Sequence, residues 1–154
     1  MSETISNLNP AKVKHKVIRL LKKISLFAGL YDDEFIPLCD ICSGQLMNEG
    51  DYFFNEGDHS RSMFVLLSGT VTLSTKNKGK IYKLMPGEMF GEIGMITQNL
   101  RSATAQAGSD CAVLEISNAD YNMLLGKYPR ISSVIMRHIA ESLAKHIVRM
   151  NYQK

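Results

Sequence analysis

The sequence is short of several things that would place it in familiar classes. No run of eighteen consecutive apolar residues occurs, so no transmembrane span is expected. The N-terminus has neither the charged start nor the apolar stretch of a signal peptide. Three cysteines, an odd number, make a poor disulfide framework and fit a reducing compartment, so a cytoplasmic location is expected. Of the four histidines only His59 falls in the strand-rich part, and one histidine makes no metal site. No nucleophile with a base beside it and no set of metal-binding carboxylates is legible, so an enzyme is not expected.

What is present fits one domain: 154 residues, 17.2 kDa, 45% apolar. Residues 1–10 are polar and read as a tail. Val13, Val17, Leu20, Leu21 and Ile24 recur at helical spacing from Ala11 to Phe27, with Lys12, Lys16, Arg19 and Lys23 on other faces. Such a basic helix packs on its own domain, which is the expectation, or lies on a membrane surface. Asp32 to Cys42 reads as a second short helix. From Gly44 to Ile116 short alternating runs are broken by turns, the texture of a barrel or sandwich. Ser117-Asn118 suits a helix start, and that helix runs to about Lys127. Pro129 then opens a last helix with Ile131, Ile135, Ile139, Leu143 and Ile147 every four residues. Charge is divided along the chain. Residues 1–23 and 127–154 each carry six Lys/Arg and one Glu, which leaves six basic against thirteen acidic residues in 24–126.

The chemistry concentrates in Phe90-Gly91-Glu92-Ile93-Gly94-Met95-Ile96, followed by Thr97-Gln98-Asn99-Leu100-Arg101-Ser102-Ala103-Thr104. A strand ending at Phe90 turns at Gly91 into one helical turn, Ile93 to Ile96. The first N–H groups of that turn have no partner within it and suit an anion. Gly91 permits close approach to the backbone. Arg101 offers a planar fork of donors matched to phosphate. Glu92 only accepts hydrogen bonds, so it suits a hydroxyl and repels a phosphate. A phosphate beside a sugar hydroxyl uses both. The bland alternative is a Gly-rich turn with a surface Glu–Arg pair worth about 1 kcal/mol or less.

Phe90-Gly91-Glu92, with Arg101 nine positions after Glu92 and then Ser102-Ala103-Thr104, resembles the phosphate-binding cassette of the cyclic nucleotide-binding domain family. Two residues depart from the pattern: Gly94 stands where Ala or Ser is usual, and Leu100 where Pro often precedes the Arg. Gly50, Gly57, Gly69, Gly87 and Gly91 fall where that family turns, and the likeness covers about residues 24–147. It implies an eight-stranded jelly roll (a double-stranded β-helix) with flanking helices. The tail and basic helix would occupy 1–23, the binding domain 24–147 with its roll at 44–116, and the C-terminal helices 118–150. It further implies a small signal-transduction module without catalysis. Gly91, Ile93 and Gly94 would offer backbone donors, Glu92 would accept from the ribose 2′-hydroxyl, Arg101 would pair with the cyclic phosphate, and Ser102 would add a hydroxyl near phosphate or base. Cyclic AMP is favoured over cyclic GMP, with the choice open. Leu73 and Ile81 are candidates for one wall of the base pocket, though core packing explains them equally well.

The family uses its last helix to lid the base and often to dimerise. His146, Arg149 and Met150 fall where a lid residue would stand, and a helix packed only on its own roll fits as well. A separate effector protein is the expected partner, and a homodimer through the last helix is open. Family members that regulate transcription carry a helix-turn-helix domain after that helix; with the sequence running to Lys154, specific DNA binding is not expected. Two rivals stand beside this reading. One is a roll that has lost its ligand and acts as a scaffold or interaction surface. The other is a redox or haem sensor using Cys39, Cys42, Cys111 or His59, for which three cysteines are one short of an iron–sulfur ligand set.

Overall fold

A computed structural model describes residues 10–152, without the side chains of 10–13, 81, 150 and 152. The expected tail at 1–9 and the side chains of Ile81 and Met150 therefore lie outside the described residues. The described chain divides into two units, a roll at 41–123 and a helical unit from 10–40 with 124–152.

The roll has eight strands: β1 (Cys42–Met47), β2 (Tyr52–Phe54), β3 (Ser62–Ser68), β4 (Val71–Thr75), β5 (Gly79–Leu84), β6 (Met89–Phe90), β7 (Thr104–Ala107) and β8 (Cys111–Ser117). They form two four-stranded sheets, in the orders β1-β8-β3-β6 and β2-β7-β4-β5. Every pairing is antiparallel, which gives the jelly roll. Alternation sets the faces. On β7, Ala105 and Ala107 are buried while Thr104 and Gln106 are half-buried. The roll core gathers Phe64, Leu66, Val71, Leu84, Phe90 and Val113. β3 is buried along Ser62–Leu66, so its apolar residues run without a polar break.

In the helical unit, α1 (Pro10–Leu21) ends earlier than the periodicity predicts. The amides of Lys23 and Ile24 reach back three residues, to Leu20 O and Leu21 O (3.1 Å each), and tighten the chain out of the α-helix. Short 3₁₀ turns follow at Ser25–Phe27 and Asp32–Glu34, the second leading into α2 (Phe35–Ile41). In the last helix, Pro129–Tyr152, Ile131, Ile135 and Ile139 are buried, but Ile147 on the same stripe is 60% exposed. Arg130 joins this helix to the turns of its own unit, pairing with Glu34, donating to Gly29 O (3.1 Å) and lying 4.0 Å over the Tyr31 ring.

Between β6 and β7 stands α3 (Glu92–Thr97), longer at both ends than the turn expected from sequence. A Cβ on Gly94 would lie 2.0 Å from Ser60 Oγ and 2.3 Å from Ser60 Cβ. Ser60 thus fills the space that an Ala at position 94 would take. Rotating its hydroxyl away would not relieve the Cβ clash, so backbone would have to move. From Asn118 to Lys127 runs α4, with the last helix now numbered α5. Ser117 caps α4, its Oγ accepting from the Asp120 amide at 3.0 Å.

The Ser60–Gly94 contact predicts a coupled pair. Gly94→Ala alone is expected to lose about 1–3 kcal/mol of stability by overpacking, and Ser60→Gly in the same chain should restore most of it. Denaturant unfolding of the two single variants and the double variant checks this; simple additivity would show that the residues do not share the space.

Candidate functional site

Gly91 makes the turn from β6 into α3 with a left-handed backbone, φ +78°. It is held to glycine by crowding as well. An added Cβ would lie 2.7 Å from Arg101 Nη1, 3.2 Å from Ser62 O and 3.4 Å from Phe54 Cε1. The helix closes at Gln98, also left-handed (φ +56°), whose amide donates to Gly94 O at 2.8 Å. The chain then returns along the loop before β3. His59 bridges Leu100, the Arg101 amide donates to Asp58 O (2.7 Å), and Arg101 O accepts from the Gly57 amide (2.9 Å). Arg101 is therefore fixed by its backbone before its side chain does anything.

That side chain turns inward and is 6% exposed. Nη1 donates to Gly91 O at 3.0 Å and Nη2 to Ser62 O at 2.7 Å. The guanidinium lies 3.9 Å over the Phe54 ring. Nε is buried with no partner. Arg101 makes no ion pair with any carboxylate among the described residues. Burial pushes its pKa down, with Asp58, Glu115 and Glu92 opposing from a distance. Glu92 is also buried, at 5% exposed. Burial raises its carboxyl pKa, while its own backbone N–H and Arg101 pull the other way. The surface Glu–Arg pair considered from sequence is overturned: both residues are buried, and they make no ion pair with each other.

The remaining cassette residues are placed unevenly. Gly94 is buried against Ser60, Ile93 is 46% exposed, and Ser102 is exposed. Among the six residues named from sequence, Arg101 alone lines a cleft of about 370 Å³, whose wall includes Phe53, Phe54, Phe64, Asp58 and Glu115. That volume falls within the range of small-molecule sites.

Sequence reasoning missed the aromatic bed under the arginine. Phe53, Phe54, Phe64 and Phe90 form one cluster with ring centroids 5.0–6.2 Å apart. The run Tyr52-Phe53-Phe54 was legible as a strand, but nothing in its spacing points to a residue 47 positions later. Tyr82 was missed as well. It stands opposite Leu73 across β4 and β5, because a register shift after Leu73 leaves Ile81 without a counterpart. Both Leu73 and Tyr82 pack on the roll core, and the Tyr82 hydroxyl donates to Glu88 Oε1 at 2.9 Å. Among the described residues no group of three or more His, Cys, Asp or Glu could hold a metal ion; Cys39 lies in α2, Cys42 opens β1, Cys111 lies in the roll core and His59 is exposed.

Comparison with known proteins bears on the family and the fold. Residues 45–128 match the model of the family described as "Cyclic nucleotide-binding domain". The chain is 28% identical over 126 residues to human cGMP-dependent protein kinase 2, covering 78% of this chain and 16% of the kinase. It is likewise 28% identical over 144 residues to the human potassium/sodium hyperpolarization-activated cyclic nucleotide-gated channel 2, covering 94% of this chain and 15% of the channel. The chain thus spans a small fraction, 15–16%, of the length of these relatives. Among solved structures, a cyclic nucleotide-binding domain from Methylobacillus flagellatus KT superposes with a TM-score of 0.76. It is 23% identical, and the match covers 92% of this chain and 82% of that one, a likeness of fold. With more than half of its length inside the matched model and the cassette folded as a strand, a glycine turn and a short helix, the chain belongs to the cyclic nucleotide-binding domain family.

Proposed function

We propose that the chain is a regulatory module that binds a cyclic nucleotide at Gly91–Gly94 and Arg101, with no catalytic step of its own. One observation carries the reading: Arg101 is a buried cation on an aromatic ring with no carboxylate paired to it. A buried charge without a counter-charge is costly, and a phosphate is the planar fork's natural complement. In this reading the amides at the start of α3 and Arg101 hold the cyclic phosphate. Glu92 accepts from the ribose 2′-hydroxyl, and Ser102, which is exposed, is free to reach phosphate or base. Cyclic AMP is the favoured ligand over cyclic GMP. The moving part is the last helix, acting as a lid over the base; the exposed Ile147 and Val148 are apolar surface in keeping with that role. Its output goes to a separate effector protein. The rival reading, a scaffold without ligand, leaves the unpaired buried arginine without an explanation.

Calorimetric titration of nucleotide-free protein with cyclic AMP and cyclic GMP is the test. Wild type is expected to bind at least one of them near micromolar, about −8 kcal/mol. Arg101→Ala is expected to lose roughly 2–5 kcal/mol of that. No heat with either nucleotide would favour the scaffold. Hydrogen exchange over residues 130–150 tests the lid: protection should rise with ligand, and equal protection in both states would remove it.

Glu92 gives a separate pH signature. Its folded-state pKa is raised by burial, so between the ordinary carboxylate range and that raised value the folded state holds a proton the unfolded state has lost. Stability from this group is therefore lost as pH rises through that window. Glu92→Gln, which carries no charge to bury, should melt above wild type at about pH 8, and the gap should close at about pH 3, where both the folded and the unfolded wild type are protonated at this group. The same variant should bind nucleotide more weakly. A melting gap independent of pH would show that the buried charge is not its cause.

A further inference from the structure

Among the described residues three buried side-chain polar atoms have no hydrogen-bond partner: Ser60 Oγ, Arg101 Nε and Asn118 Oδ1. Folded chains hold few such atoms, and each asks for an explanation. These three are not scattered. Asn118, the first residue of α4, donates its backbone N–H to Arg61 O (2.8 Å) and its Nδ2 to Ser60 O (3.0 Å). One residue further on, Ser62 O receives Nη2 of Arg101 (2.7 Å). The side chain of Ser60 occupies the space of the missing Cβ on Gly94. Three consecutive residues, Ser60, Arg61 and Ser62, are thus gripped by α4 through two carbonyls, by Arg101 through the third, and by α3 through the Ser60 side chain.

Asn118 is not occupied with capping its own helix, since Ser117 does that. Its amide is spent instead on a carbonyl 58 positions earlier in the chain. We infer that Asn118 is a positioning residue for the nucleotide site: by holding the carbonyls of Ser60 and Arg61 it sets the carbonyl of Ser62, and so where Arg101 presents its guanidinium. This rests on the reading that Arg101 meets the cyclic phosphate. The phosphate has to compete with or adjust to the bond to Ser62 O, and the strength of that bond depends on how firmly the segment is held. Coupling of this kind is reciprocal. If Asn118→Ala lowers nucleotide affinity, bound nucleotide must raise the stability cost of Asn118→Ala by the same factor. The unpartnered Ser60 Oγ and Asn118 Oδ1 fit the same picture, a donor and an acceptor on residues already joined.

The test is calorimetric titration with cyclic AMP and cyclic GMP of wild type, Asn118→Ala, Arg101→Lys and the double variant. Lysine keeps the charge but lacks the fork that spans Gly91 O and Ser62 O. Asn118→Ala is expected to weaken binding about tenfold in the wild-type background, within the span of couplings measured between connected residues. In the Arg101→Lys background it should cost nothing further. Unchanged affinity in Asn118→Ala, or the same loss in both backgrounds, would overturn the inference, because a residue that only supports the fold would act equally on both. If wild type takes up neither nucleotide, the nucleotide reading itself fails, and a second measurement decides the Asn118 link alone. In ligand-free protein the Arg101 Nε–H resonance should move in Asn118→Ala and stay in place in Ile135→Val, a core change in α5. An unmoved resonance in Asn118→Ala would overturn the link.

Discussion

The cassette end of the roll is organised around a guanidinium kept out of water. Arg101 rests on Phe54 and donates to the carbonyls of Gly91 and Ser62, which lie on two different segments of the roll. Two neutral acceptors and a ring face are a good bed for an arginine's shape and a poor one for its charge. Much nearby follows from accommodating it. Position 91 must be glycine because a side chain would strike the guanidinium as well as strain the turn. The loop before β3 must approach closely enough for Asp58 and Gly57 to hold the arginine's backbone, and Ser62 its side chain. The aromatic cluster supplies a surface flat enough to stack on.

Charge distribution sharpens the point. The section 24–126 carries six basic and thirteen acidic residues, so its general field repels anions. In the proposed reading, attraction of a phosphate would have to be local. Burial makes it so, because a charge in a low-dielectric surrounding acts more strongly over short distances than one screened by solvent. Glu92, a few residues away and also buried, adds negative charge that a phosphate must avoid and a hydroxyl can use. In the proposed reading the two side chains would discriminate in opposite senses, and they make no ion pair with each other.

The two departures from the family pattern fare differently once the fold is known. Gly94 is explained by Ser60, whose side chain takes the volume an alanine would have filled. The substitution is one half of a packing exchange between α3 and the preceding loop, and it leaves the helix and its first amides in place. Leu100 is 53% exposed and bridges His59 through its backbone. The hydrogen bond beside that bridge is made by the Arg101 amide to Asp58 O, and nothing in the structure explains Leu100 in place of proline.

By itself the sequence determined what is written at short range. The 2-residue alternation gave the strands, the 4-residue stripe gave the last helix, the serine at 117 gave the start of α4, and Phe90-Gly91-Glu92 with Arg101 gave the cassette. The strands, the helix stripe and the helix start are relations between residues a few positions apart, set by backbone geometry, and the cassette is a pattern within twelve consecutive residues that resembles a family's. Tertiary structure alone decided that Glu92 and Arg101 are both buried and make no ion pair with each other. It also decided that Phe54 carries the arginine, that Tyr82 and not Ile81 faces Leu73, and that Ser60 and Asn118 tie the cassette to the start of α4. These are contacts across 9 to 58 positions. They depend on sheet register and on how closely loops approach, and a one-residue shift such as the one after Leu73 changes them without leaving a mark on local spacing.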